Sequence, residues 1–166
     1  MTDNSGIISR FERHRLRYAV LAALLVATPA GAQCLTPVGV WLHDNKRIEI
    51  EIAPCGDKLC GKLVWLKSPD DTQGQPLVDA KNPVATLQTR PLLGLTVLDS
   101  LHRTGECTWD GGNIYDPDDG AAYTASMSVL EDGALEVHAY LLVPVFGKSF
   151  IWTRMRSIGA APQTGS

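Results

Sequence analysis

Four cysteines and a few acidic, histidine and asparagine side chains are the residues able to do chemistry in this sequence. Cys55 and Cys60, in the stretch CGDKLCG, could clip a metal, cycle between thiol and disulfide, or staple a turn. Tetrahedral zinc needs four ligands, and no histidine lies within ten residues of either cysteine. Redox catalysis favours a Cys-x-x-Cys pair where a strand turns into a helix. Here the spacing is longer, and the flanks EIEIAP and LVWL both read as strands. A staple asks only that two thiols face each other across a turn, and Gly56-Asp57 supplies one. A Cys55–Cys60 disulfide across a hairpin end is therefore expected, worth about 2 kcal/mol on the loop-entropy account.

The other polar groups point less sharply. Asp110, Asp116, Asp118 and Asp119 offer oxygens, but the alternate-position spacing and late Glu of a calcium loop are missing. A hairpin turn is expected there instead. Pro117 would set φ, Gly120 would take positive φ, and Asp side chains would accept backbone N–H groups. His43, His102 and His138 are scattered, with no partner at ligand spacing, so no metal and no cofactor are expected. His138 alternates with Leu135 and Val137 and should face solvent. Gly-x-Ser-x-Gly is absent and no catalytic constellation assembles, so the chain does not read as an enzyme. Asp79, Asn82 and Arg90 make the best polar cluster. It would either close over a ligand or tie down its own loop.

Such residues meet only if the elements carrying them bring them together. Almost nothing after residue 32 has helical period. Ile48, Ile50 and Ile52 alternate with charged residues, as do Tyr123 to Val129 and Leu135 to Leu141 with polar ones. That is the period of half-buried antiparallel strands. Weaker strands are expected over Val38–His43, Leu59–Leu66, Leu92–Leu98, Gly112–Tyr115 and Phe146–Met155. About eight strands at short spacing predict an all-β, antiparallel up-and-down barrel, which leaves no exposed edge. The connection from Lys67 to Arg90 is too long for a passive hairpin and should cover a barrel end or contain a helical turn. Trp41, Trp65, Trp109, Trp152, Tyr115, Tyr123, Phe146 and Phe150 are residues of the kind that fill a core. An eight-stranded interior holds either packed side chains or one small ligand.

The beginning of the chain speaks to the compartment. Arg10, Arg13, Arg15 and Arg17 form a basic run that leads into the apolar part of LRYAVLAALLVATPAGA, residues 16–32. This predicts a secretory signal over 1–32, a domain over 33–156 and a disordered tail over 157–166. The apolar stretch falls short of the roughly 20 residues of a membrane span. The alternative is an uncleaved anchor helix; with cleavage, no membrane span remains. After residue 32 there are 11 basic and 16 acidic side chains, a net of −5 that repels nucleic acid. A periplasmic or secreted location follows, where cysteines oxidise.

The chain ends carry a resemblance. Gly39-Val40-Trp41 and Trp152-Thr153-Arg154 resemble the lipocalin arrangement, in which an Arg from the last strand stacks on a Trp of the first and closes the barrel. CGDKLCGKLV, DAKNP at 79–83, RPLLG at 90–94, WDGGNIYDP at 109–117 with Gly120 and Tyr123, and FIWTR resemble the exported bacterial proteins of the DUF2147 family, from about Gly39 to Met155. The resemblance implies a lipocalin-like barrel outside the cytoplasm, and the family has no established activity. Cys34 and Cys107 depart from its pattern; a second disulfide between them is one of the pairings open to four cysteines. The expected function is a module that binds a small apolar or amphipathic ligand. Asp79, Asn82, Arg90, Tyr115, Asp116 and Tyr123 are its candidate ligand or loop residues. The alternative is an envelope interaction or structural protein whose barrel is filled and which acts through its loops.

Overall fold

Alternation of apolar and polar side chains is realised as eight strands of one closed sheet. The computed structural model describes residues 34–156, so the expected leader over 1–32 and tail over 157–166 lie outside the described residues. In order, the strands are β1 (Gly39–Leu42), β2 (Ile48–Cys55), β3 (Lys58–Leu66), β4 (Thr96–Arg103), β5 (Thr108–Asp116), β6 (Ala121–Val129), β7 (Leu135–Tyr140) and β8 (Lys148–Arg156). Each pairs antiparallel with the next, and β8 returns to pair with β1. The expected all-β, eight-stranded up-and-down barrel is what the chain forms.

The inward faces follow the sequence period. Ile50 and Ile52 of β2, Ala125, Met127 and Val129 of β6, and Leu135 and Val137 of β7 are buried. Burying one large apolar side chain contributes roughly 1.5–3 kcal/mol.

The register brings the start of β1 beside the end of β8, with Trp41 opposite Arg154. The Arg154 guanidinium lies over the Trp41 indole, 4.1 Å from the ring centroid. Trp41 is fully buried, and its Nε1–H donates to the Pro37 carbonyl at 2.7 Å. Arg154 also donates to the carbonyls of Val38 (3.1 Å) and Thr36, so one side chain pins the segment before β1 across this end. Burial draws the guanidinium below its ordinary pKa, though an arginine stays charged. The Trp152 Nε1 and Arg154 Nε are buried without a hydrogen-bond partner among the described residues. Each such group costs about 1–3 kcal/mol, which the packing around it must offset.

Both disulfides cross-link this same end. Cys55 bonds Cys60 within the β2–β3 hairpin, with Cα atoms 5.8 Å apart. Cys34 bonds Cys107 at 5.4 Å, joining the segment before β1 to the β4–β5 connection.

Four sequence expectations are corrected. The fourth strand is Thr96–Arg103 and not Leu92–Leu98, because Gly94 turns at φ 86° and the Leu95 N–H bonds back to the Leu92 carbonyl. The last strand begins at Lys148, since Pro144–Phe146 form a 3₁₀ turn instead. Trp65 and Phe146 leave the core: Trp65 stands opposite Glu49 on β2 at 41% exposure, and Phe146 is 83% exposed. His138 is tied rather than free in solvent, with its ring nitrogens 2.9 Å from Ser149 Oγ and from the Pro144 carbonyl.

Two outcomes follow. Arg154→Ala should cost about 2 kcal/mol and lower the melting temperature by several degrees. Arg154→Lys should recover little, because an ammonium cannot lie flat on the indole. An unchanged melting curve for Arg154→Ala would mean that the contact does not hold the barrel. For the cross-links, non-reduced peptide mapping should recover only Cys34–Cys107 and Cys55–Cys60. Their sequence separations of 73 and 5 set the loop entropies. Replacing the first pair by alanine should cost roughly 4 kcal/mol against about 2 for the second, read by denaturant titration.

Candidate functional site

The four connections at the end away from Trp41 surround a cavity of about 590 Å³. They are the β1–β2 turn, the long β3–β4 connection, the β5–β6 turn and the β7–β8 connection. One wall is apolar: Ile48 and Ile50 from β2, Leu63 and Leu66 from β3, Val97 from β4 and Ile114 from β5. Opposite chemistry comes from the two strands that close the barrel. His43 follows β1, and Lys148 and Phe150 belong to β8. The barrel is therefore filled at one end, where Trp41 and Trp152 are fully buried, and hollow at the other.

His43 is the most enclosed polar group of this wall, with a side chain only 13% exposed. Its ring centroid lies 5.1 Å from that of Phe150 and 5.6 Å from that of Trp152. Burial is the chief influence that lowers its pKa, with help from Lys148, and together these outweigh Asp44 and Asp116. The imidazole is thus held toward its neutral form.

The expected polar cluster forms, and its geometry answers which of its two roles it plays. Asp79 is fully buried. Its Oδ2 accepts from Asn82 Nδ2 at 2.8 Å and from Arg90 Nε at 2.9 Å, with Arg90 Nη2 at 2.7 Å. Its Oδ1 accepts from the Tyr115 hydroxyl at 2.6 Å. Burial alone would raise the carboxyl, but the Tyr115, Asn82 and Arg90 donors prevail and hold it below its ordinary value of 3.8. The phenol of Tyr115 is raised, first by burial and then by its bond to Asp79, so it remains a donor. Asn82 Oδ1 and its carbonyl take the Val84 N–H and Gln88 Nε2–H. The cluster spends its hydrogen bonds on its own connection and on β5. It is a clamp that fixes the long connection beside the cavity.

The acidic turn completes that clamp. Asp116 Oδ1 accepts the Asp118 N–H at 2.8 Å, and Asp119 Oδ1 accepts the Ala121 N–H at 2.7 Å. Asp119 Oδ2 takes the Tyr123 hydroxyl at 2.5 Å, a bond that raises the phenol's pKa. Gly120 has φ 76°, and a Cβ there would collide with the Lys81 carbonyl of the long connection. The Lys81 ammonium in turn donates to the Asp118 carbonyl. Tyr115, Asp116 and Tyr123 line the cavity, whereas Asp79, Asn82 and Arg90 support it from behind.

His43 and Lys148 are the residues that sequence reading missed. The signal was there: His43 is two residues from Trp41, and Lys148, Phe150, Trp152 and Arg154 occupy alternate positions of one strand. Period two puts each set on one face, so an inward tryptophan implies an inward histidine beside it.

An eight-stranded barrel with one plugged end and one hollow end defines a lipocalin-like protein. A solved protein from the human pathogen Helicobacter pylori, described as belonging to the lipocalin family, is similar in fold, with a TM-score of 0.63. The two share 23% identity over 74% of this chain and 84% of that one. The chain belongs to DUF2147, described as an uncharacterized protein conserved in bacteria, whose sequence pattern matches residues 39–154. No curated protein matches the chain.

The clamp predicts a pH dependence with a definite sign. With the folded Asp79 held below its ordinary value of 3.8, its contribution is complete above that value and is lost as pH falls through the lowered one. Asp79→Asn should cost about 3 kcal/mol, the low end for breaking a buried pair, because Arg90 keeps some solvent. It should also flatten the stability profile in acid. Gly120→Ala should release the same connection without altering a charge. Hydrogen exchange would show faster amides over residues 77–92 in both variants, and protection equal to wild type would rule the clamp out.

Proposed function

We propose that this chain is a binding module that holds one small apolar or amphipathic molecule in the open end of its barrel, outside the cytoplasm. The carrying observation is the cavity of about 590 Å³ with an apolar wall. Small-molecule sites run from roughly 300 to 1,000 Å³, and a barrel filled by its own side chains would leave no such space. The leader-like residues 1–32 and two disulfides, which persist in oxidising compartments, support a periplasmic or secreted domain over residues 33–156. No catalytic role is assigned to any side chain.

A second reading, contact with an envelope partner through the loops, draws on one observation. The β7–β8 connection LLVPVF is apolar and open, with Leu142 97%, Val145 80% and Phe146 83% exposed. Exposed apolar runs of this kind mark interaction surfaces.

Native mass spectrometry of protein purified from its own host should reveal one co-purifying apolar or amphipathic molecule per chain. Alkyl ligands should also change tryptophan fluorescence, given that the His43 ring of the cavity wall lies 5.6 Å from that of Trp152. Ala139→Trp, which fills the cavity from β7, should fold normally and bind nothing. No adduct and no fluorescence change across a broad panel of lipids would leave only the loop-mediated reading.

A further inference from the structure

The cavity has two chemically different sides, and their arrangement narrows what it would hold. Apolar side chains from β2 to β5 make one side. On the other, the Lys148 ammonium lies 4.9 Å from the Phe150 ring centroid, and the His43 ring lies 5.1 Å from the same ring. Two nitrogen-bearing groups thus neighbour one aromatic ring at the cavity wall. Lys148 stands at the rim and His43 stands deeper, beside Trp152.

Neither group is used up by the protein. Lys148 has no carboxylate within ion-pair distance among the described residues, where the ion pairs are His43–Asp44 and Arg90–Asp79. Three carboxylates line the cavity: Asp44, whose Oδ1 lies 2.7 Å from His43 Nδ1, Asp116, whose Oδ1 accepts within its own turn, and Asp118 of that turn, while Arg47 of the β1–β2 turn adds a further cation. The His43 Nδ1 is engaged by its own turn, 2.7 Å from Asp44 Oδ1 and 3.2 Å from the Asn45 backbone nitrogen. When the ring is charged, Nδ1–H donates to Asp44 and Nε2 carries the second hydrogen. Nε2 has no hydrogen-bond partner among the described residues. An ammonium and an imidazole line one volume with an apolar wall opposite. They match a negatively charged head that takes hydrogen bonds from Lys148 and from His43 when its ring is protonated, attached to a hydrocarbon tail.

We propose that the ligand is an anionic amphiphile, its carboxylate or phosphate-ester head held at the rim by Lys148 and His43 and its tail lying along Ile48, Ile50, Leu63 and Val97. The proposal rests on the binding reading given above and adds the charge and orientation of the ligand. An exposed lysine at a strand start is commonplace on a protein surface. This one differs in that it shares the cavity-facing register of β8 with Phe150 and Trp152.

Titration calorimetry with probes of equal chain length separates the contributions. Dodecanoate and dodecyl phosphate carry the two candidate heads, dodecanol has none, and dodecyltrimethylammonium reverses the sign. The full chain should bind at least one of the anionic probes about tenfold or more tighter than dodecanol, and the cation most weakly. Lys148→Met should erase the anion's advantage while leaving dodecanol unchanged, and Lys148→Arg should restore it. His43→Phe, which keeps the ring stacking, should reduce the advantage in part. Dodecanol binding as tightly as both anions would overturn the proposal and leave the carrier reading intact. So would a Lys148→Met variant that weakens every probe alike. Failure of all four probes to bind would overturn both.

Discussion

The barrel depends on the contact between Trp41 and Arg154. An antiparallel sheet of eight strands has two edges until its last strand meets its first, and free edges invite other chains. Here the closing register sets Trp41 opposite Arg154. The guanidinium covers the indole and also reaches the carbonyls of Thr36 and Val38, residues that precede β1. Backbone pairing of β1 with β8 closes the circle of strands, and this one side chain caps the floor of its interior. Everything above that floor, including the depth at which His43 and Phe150 stand, is measured from it.

The two ends of the barrel are held by different physics. At the floor, fully buried tryptophans and both disulfides act together. Packing stabilises the native state, while the cross-links restrict the unfolded chain. At the mouth no covalent link exists among the described residues, and order comes from hydrogen bonds to the buried Asp79 and from the close fit of Gly120 against Lys81. Polar clamps of this kind are directional but respond to pH and to local opening. A rigid floor under a mouth held by fewer constraints is the arrangement a binding barrel requires, since a ligand must pass the mouth without disturbing the closure.

The acidic residues at the mouth divide by where their oxygens point. Asp79 serves the clamp. Asp116 and Asp119 serve the hairpin turn, and Asp44 serves His43. Each of these four carboxylates has a local partner, and cationic groups, Arg47 and Lys148, line the cavity beside them.

Much of this protein could be read from its residues in order. Alternation in RIEIEI, in Tyr123 to Val129 and in Leu135 to Leu141 determined strands with known inward faces, since period two admits no other packing. Trp41 and Arg154 marked the closure, and Gly56-Asp57 between two cysteines marked a staple, because these are short-range or end-to-end relations. Tertiary structure alone decided three things. It chose the partner of Cys34, 73 residues away, since spacing cannot rank pairings across a closed sheet. It turned Asp79, Asn82 and Arg90 into a clamp by supplying the Tyr115 hydroxyl from β5, a contact 36 residues distant that no local pattern announces. It also left the mouth hollow. Whether a barrel interior is filled depends on side chains from all eight strands meeting at one level, a sum over the closed sheet that no single strand contains.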